Sequence, residues 1–132
     1  MINMKKIHHI GFLAKNLEKT AKDFESMGYE RNGGGFDPIQ KAEILFMNMD
    51  GVNVELVVPS EDSEVYPLLK KYRNAPYHIC YEVENLEQAI EEFVKQGYAL
   101  FRPAVKAVAI SETARVAFLM GRNVGMVELV EL

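Results

Sequence analysis

This chain repeats itself, and no other feature constrains its fold as much. His9 to Tyr29, slid 69 positions without a gap, falls on His78 to Tyr98 with eight of 21 residues identical. The identities are His9/His78, Ile10/Ile79, Asn16/Asn85, Leu17/Leu86, Glu18/Glu87, Phe24/Phe93, Gly28/Gly97 and Tyr29/Tyr98. Further along, AEILF at 42–46 matches ARVAF at 114–118, and VELV at 54–57 recurs at 127–130, at offsets of 72 and 73. Small changes in loop length account for that drift. Matching at a nearly fixed offset over most of the chain means two copies of one supersecondary unit.

Each copy reads as βαβββ. IHHIGFL and YHICYEV are apolar, β-rich runs, and each leads into Asn-Leu-Glu, whose Asn is suited to cap a following helix. In the second helix Leu86, Ile90 and Phe93 recur at helical spacing and Gly97 supplies a left-handed stop; Leu17, Phe24 and Gly28 repeat the pattern in the first. About a dozen residues then precede two apolar runs, ILFM and VNVELVV in one half, RVAFLM and GMVELVE in the other. Asp50-Gly51 and Gly121-Arg122-Asn123 mark the hairpins between them. The expected organisation is one domain over 1–132, with modules at 5–60 and 76–132. The connector is 61–75, holding a short helix at Tyr66 to Tyr72. The run Gly33-Gly34-Gly35 lacks phosphate-loop spacing and is expected to be a mobile loop.

Composition excludes several functions. With 132 residues, 48% of them apolar, the chain suits a single globular core. A net charge of −4, from 19 acidic and 15 basic residues, argues against nucleic acid as a partner. MINMKKIHHIGF does not read as a signal peptide, and no apolar run is long enough to span a bilayer. Cys80 is the single cysteine and cannot form an intramolecular disulfide. A cytoplasmic protein without membrane contact is expected.

The repeat also places chemistry. It puts a His on the first strand of each copy and a Glu on the last, namely His9, Glu55, His78 and Glu128. Strand alternation sets His9 and Glu55 on the side opposite Ile10, Val54 and Leu56, and sets His78 and Glu128 opposite Ile79, Val127 and Leu129. Two imidazoles and two carboxylates suit one divalent ion of the zinc, nickel, cobalt, iron or manganese type. A mid-strand carboxylate flanked by apolar residues also needs a partner to offset its desolvation. His8 is expected at the surface, Cys80 as a buried thiol and Glu131 in solvent.

The segments IHHIGF, VELVVP, YHICYEVENLEQAIEEFVKQGY and ARVAFLMGRNVGMVELVE resemble the vicinal oxygen chelate superfamily, also called the glyoxalase and bleomycin-resistance superfamily. The resemblance implies an α+β fold in which two tandem βαβββ modules form a U-shaped mixed sheet around a cavity, with the helices outside. It implies His9, Glu55, His78 and Glu128 as metal ligands, a small-molecule substrate with adjacent oxygens, and pairing into a homodimer. The ARVAFL and GMVELVE strands look most like those of methylmalonyl-CoA epimerases, although Met120-Gly121-Arg122-Asn123 stands where those enzymes carry a His-Pro-Lys-Ser-Thr-like segment. The implied activity is metal-dependent proton abstraction next to a carbonyl, as in an acyl-CoA epimerase, with Glu128, Glu55 and Glu43 as the acid–base candidates. The same superfamily holds glyoxalase I (lactoylglutathione lyase) and non-catalytic antibiotic-binding members as alternatives. Arg31, Arg73, Arg102, Arg115 and Arg122 are candidate clamps for an anionic group.

Overall fold

The computed structural model describes residues 2–132. The backbone divides into two compact units, His9–Tyr77 and His78–Leu132, the latter joined by residues 2–8. Each unit carries one copy of the repeat.

In the first, β1 (Lys6–Leu13) is followed by α1 (Leu17–Ser26), then β2 (Glu30–Asp37), β3 (Ala42–Met49) and β4 (Val52–Pro59), and finally the short α2 (Tyr66–Tyr72). β2, β3 and β4 form an antiparallel meander, and β4 pairs in parallel with β1 through Gly11↔Glu55 and its neighbours. Asn16 starts α1 as the sequence suggests, its side chain accepting the Lys19 N–H. The apolar face of α1 then covers the sheet. Ala21, Met47, Val54 and Leu56 are buried together, with Phe12, Leu17 and Phe24 packed around them. Burying each larger side chain contributes on the order of 1.5–3 kcal/mol. Asp50 and Gly51, at φ 51° and 80°, form the two-residue turn between β3 and β4, a turn that needs positive φ at both positions.

The second unit repeats this order with β5 (Ala75–Glu82), α3 (Leu86–Lys95), β6 (Ala99–Lys106), β7 (Arg115–Gly121) and β8 (Gly125–Glu131). β6, β7 and β8 form the meander, and β8 runs parallel to β5, with Cys80 opposite Glu128. Asn85 accepts the Gln88 N–H, the counterpart of the Asn16 cap. Leu86, Ala89 and Phe93 on α3 pack on Ala117, Leu119, Val127 and Leu129, and the N-terminal Ile2 and Met4 join this core. The Lys5 N–H donates to the Glu82 carbonyl at 2.8 Å, which anchors the start of the chain to this unit.

One expectation is corrected. Gly33-Gly34-Gly35 is not a free loop: it runs through β2, where Gly34 lies opposite Leu45 and Gly35 opposite Ile44, with a bulge between Arg31 and Gly34. Gly34 sits at φ 143°, and a Cβ there would collide with the Ile44 carbonyl. The glycines permit close approach of two backbones, which a pattern of apolar side chains cannot signal. Among the described residues no helix is long and apolar enough to cross a membrane.

Candidate functional site

In the first unit, register decides which side chains share a face. Glu55 lies opposite Phe46 on β3, and the Val54 and Leu56 that flank it turn into the core under α1. Glu55 therefore projects from the face away from the helix, and His9 on the neighbouring β1 does the same. His9 Nε2 lies 3.3 Å from Glu55 Oε1, with the two side chains 0% and 6% exposed. The Phe46 ring stands edge-on to the His9 ring, with centroids 5.5 Å apart and planes at 73°.

The second unit builds the same arrangement. His78 Nε2 lies 2.9 Å from Glu128 Oε1, at 0% and 1% side-chain exposure. Phe118 lies opposite Glu128 and presents its edge to His78 at 5.3 Å and 85°. Each strand pair thus delivers one imidazole nitrogen and one carboxylate oxygen, out of water and on the face that the helix leaves open. Oxygen and imidazole nitrogen donors suit a borderline divalent ion, and a buried carboxylate gains most from a cation, so the donor set fits such an ion.

Residues 8–118 match the sequence profile of the glyoxalase/bleomycin resistance protein/dioxygenase superfamily. The chain belongs to this superfamily. Mitochondrial methylmalonyl-CoA epimerase from human is 28% identical over 133 residues, which span 98% of this chain and 74% of the human protein. Its Dictyostelium discoideum counterpart is 28% identical over 140 residues, spanning 99% and 79%. Among solved structures, a hypothetical protein from Bacillus halodurans C-125 superposes with a TM-score of 0.84 at 25% identity, covering 96% of this chain and 94% of the other. The Mycobacterium tuberculosis methylmalonyl-CoA epimerase superposes at 0.83 and 18% identity, covering 97% and 88%, a likeness of fold alone.

Not every residue suggested by the superfamily resemblance joins these pairs. Glu43 is exposed, and it lies opposite Val58, three positions along β3 from Phe46 and so on the other face. An odd offset along a strand reverses side-chain direction, so Glu43 cannot share a face with Glu55. Glu43 thus stands apart from the two imidazole–carboxylate pairs. Cys80 is fully buried and His8 half-buried.

Glu131 corrects a second expectation. Rather than standing in solvent, it accepts the Leu86 N–H at 2.9 Å and pairs with Arg115 at 2.8 Å. Arg115 also grips Glu87 through two 2.8 Å bonds. The Arg115 guanidinium holds both carboxyls below the usual carboxylate range, the Leu86 N–H adding to the effect at Glu131, and the bonds raise Arg115 itself. Arg31 is likewise committed to Glu18 and Glu25, leaving neither arginine as a ready clamp. Phe46 and Phe118 stand edge-on to the two imidazoles, a contact that the His and Glu spacing alone does not reveal, although the matched AEILF and ARVAF segments carry the signal.

Proposed function

We propose that this chain is a divalent-metal-dependent isomerase that moves a proton on the carbon next to a carbonyl, acting as an epimerase on an acyl-CoA thioester of the methylmalonyl type. The observation carrying this reading is the recurrence of one buried imidazole–carboxylate pair at matched strand positions in both repeats. His9, Glu55, His78 and Glu128 would hold one ion, of the zinc, nickel, cobalt, iron or manganese type. When bound, such an ion supplies Lewis-acid stabilisation for the negative charge that grows on the substrate's oxygens.

The remaining work falls to the chain itself. Glu128, ionised, takes the proton from the substrate carbon through a carboxylate oxygen, and Glu55, entering that turnover protonated, gives its proton to the opposite face, the two carboxyls exchanging states for the reverse reaction. Their burial keeps bulk water from competing for that proton. The edge-on contacts of Phe46 and Phe118 restrict rotation of the His9 and His78 rings and keep each Nε2 directed at its carboxylate. The names of the human and Dictyostelium relatives support a thioester substrate.

The deciding experiment follows solvent exchange by NMR, with metal-replete protein in deuterated water. Deuterium entering the α-carbon of a methylmalonyl-type thioester, without isomerisation of a methylglyoxal hemithioacetal, is the expected result. The reverse pattern would transfer the assignment to glyoxalase I chemistry. No exchange with either, despite bound metal, would make the chain a binding member of the superfamily.

A further inference from the structure

The short helix α2 ends on a backbone that its residue does not favour. Arg73 closes the helix by donating its N–H to the Leu69 carbonyl at 2.8 Å, and it sits at φ 61° and ψ −142°. A residue with a Cβ rarely adopts that conformation, and glycine is the usual choice where a helix ends on positive φ. The next residue fixes where the arginine stands. Asn74 Oδ1 accepts the Lys15 N–H at 3.0 Å, which ties the end of α2 to the segment between β1 and α1. Lys15 is also placed against local preference, because it directly precedes the Asn16 cap and so stands at the positive end of α1.

Both residues line one cleft of about 670 Å³, which lies within the first unit. Lys70, one turn before Arg73, adds a third cation, and Ser60 and Tyr66 add hydroxyls. Glu61 also lines the cleft, so three cations face one carboxylate. Among the described residues none of the three cations is ion-paired. The dipole of α2 favours a cation at its last turn, as at Lys70, but it does not account for Lys15. Val58 borders the cleft three residues beyond Glu55 on β4, in step with Val54 and Leu56 and so on the α1 side of that strand. The His9 and Glu55 pair projects from the other side.

We infer that this cleft is a binding site for a phosphoryl anion, with Arg73 as its principal ligand. A phosphate dianion can accept at once from a guanidinium fork, two ammonium groups and a hydroxyl, more donors than one carboxylate can engage. The volume has room for an organic phosphate, since small-molecule sites run from about 300 to 1,000 Å³. Val58 and Leu69 give the body of such a ligand an apolar wall. The strained backbone fits this role, because strain held at a ligand site is offset by what the side chain does there. The inference stands independently of the epimerase reading.

The test is a calorimetric titration of pyrophosphate, at fixed ionic strength, into parent, Lys15→Ala, Arg73→Gly and Lys71→Ala. The parent should bind saturably, and Lys15→Ala and Arg73→Gly should each bind roughly 10- to 100-fold more weakly, the range for losing a charged hydrogen bond. Lys71→Ala removes the same charge from the same helix but outside the cleft, and its affinity should stay within about twofold of the parent's. Arg73→Gly carries a second readout. Glycine suits the positive φ, so the unfolding midpoint should hold or rise while binding is lost, whereas an arginine that only supports the fold would lower it. Coenzyme A, added to protein saturated with pyrophosphate, separates the sources of the phosphoryl group. Displacement assigns the cleft to the phosphates of a thioester and undisturbed pyrophosphate to a separate phosphate ester, and either keeps the site. Failure of α-proton exchange on every thioester would sink the epimerase reading and leave the titration untouched. No saturable binding by the folded parent, or a loss in Lys71→Ala equal to that in the cleft variants, would overturn the site.

Discussion

His78 Nε2 and Glu128 Oε1 lie 2.9 Å apart in side chains that are 0% and 1% exposed, and the first repeat holds His9 and Glu55 in the corresponding arrangement at 3.3 Å. Two buried carboxylates in so small a protein are costly unless a cation meets them. One divalent ion per chain is therefore the expected stoichiometry. His9→Ala and His78→Ala should each lower the bound metal, as should Glu55→Ala and Glu128→Ala. Chelation should lower stability by about 2.7 kcal/mol relative to protein kept at a free ion concentration of 100 times Kd. Elemental analysis of dialysed protein, with thermal unfolding in and out of chelator, measures both. Full metal retention in any two of the four variants would refute the ligand set.

The register of β3 and β4 sets Glu43 on the face opposite Glu55, and a pair of variants tests whether that separation matters to the proposed reaction. Glu128→Gln should lower the rate of α-proton exchange by roughly two to four orders of magnitude, as expected for loss of a general base, and it should weaken metal binding as well. Glu43→Gln changes an exposed side chain on the opposite face from Glu55 and should leave the rate within about twofold. A large loss in Glu43→Gln with metal retained would mean that the register does not describe the working site.

These two outcomes also mark what the sequence can and cannot convey. The 69-residue offset pairs His9 with His78, and the later 73-residue offset pairs Glu55 with Glu128, because a strand residue keeps its place when the whole unit is copied. Alternation then gives the side each one faces. Glu43 is a candidate through the superfamily resemblance and not through alternation, which sets it one position out of step with Ile44 and Phe46. Arg102, buried on β6, cannot be distinguished by sequence from four other arginines, since bulges on either side break the period that reports which way a strand residue turns. Glu131 depends on a contact with Leu86, 45 residues away, and no local pattern reports such a distance.

Gly34 offers a stability test of the strand assigned to the three glycines. At φ 143°, with the Ile44 carbonyl in the path of a Cβ, Gly34→Ala should destabilise the protein by roughly 1–3 kcal/mol. A methyl added at Gly33, where φ is 83°, would meet no atom within 4 Å, so Gly33→Ala carries the backbone penalty alone, about 1 kcal/mol. Equilibrium urea unfolding of the two variants gives the comparison. Equal and negligible effects would return residues 33–35 to the status of a free loop.

The last prediction concerns acid. Glu131 joins the end of β8 to the start of α3 by accepting the Leu86 N–H, and a carboxylate at that position also meets the positive end of the helix. Arg115, which pairs with Glu131 and Glu87, is the strongest influence and lowers the Glu131 carboxyl from its ordinary 4.5, with the Leu86 N–H second; Glu87, the other charge facing it, opposes the shift. A group whose folded pKa is depressed binds protons more readily when unfolded. Its contribution is thus complete above the unfolded value and fades as pH falls through the folded one. Because Glu131 and Arg115 are 26% and 36% exposed, solvent screening keeps that contribution to about 1 kcal/mol. Glu131→Gln keeps an acceptor for Leu86 but loses the charge, so it should lower the unfolding midpoint by a few degrees at pH 7. The difference from the parent should shrink as pH drops below about 4. A gap that stays constant from pH 7 to pH 3 would show that the carboxylate's charge does not fasten α3 to β8.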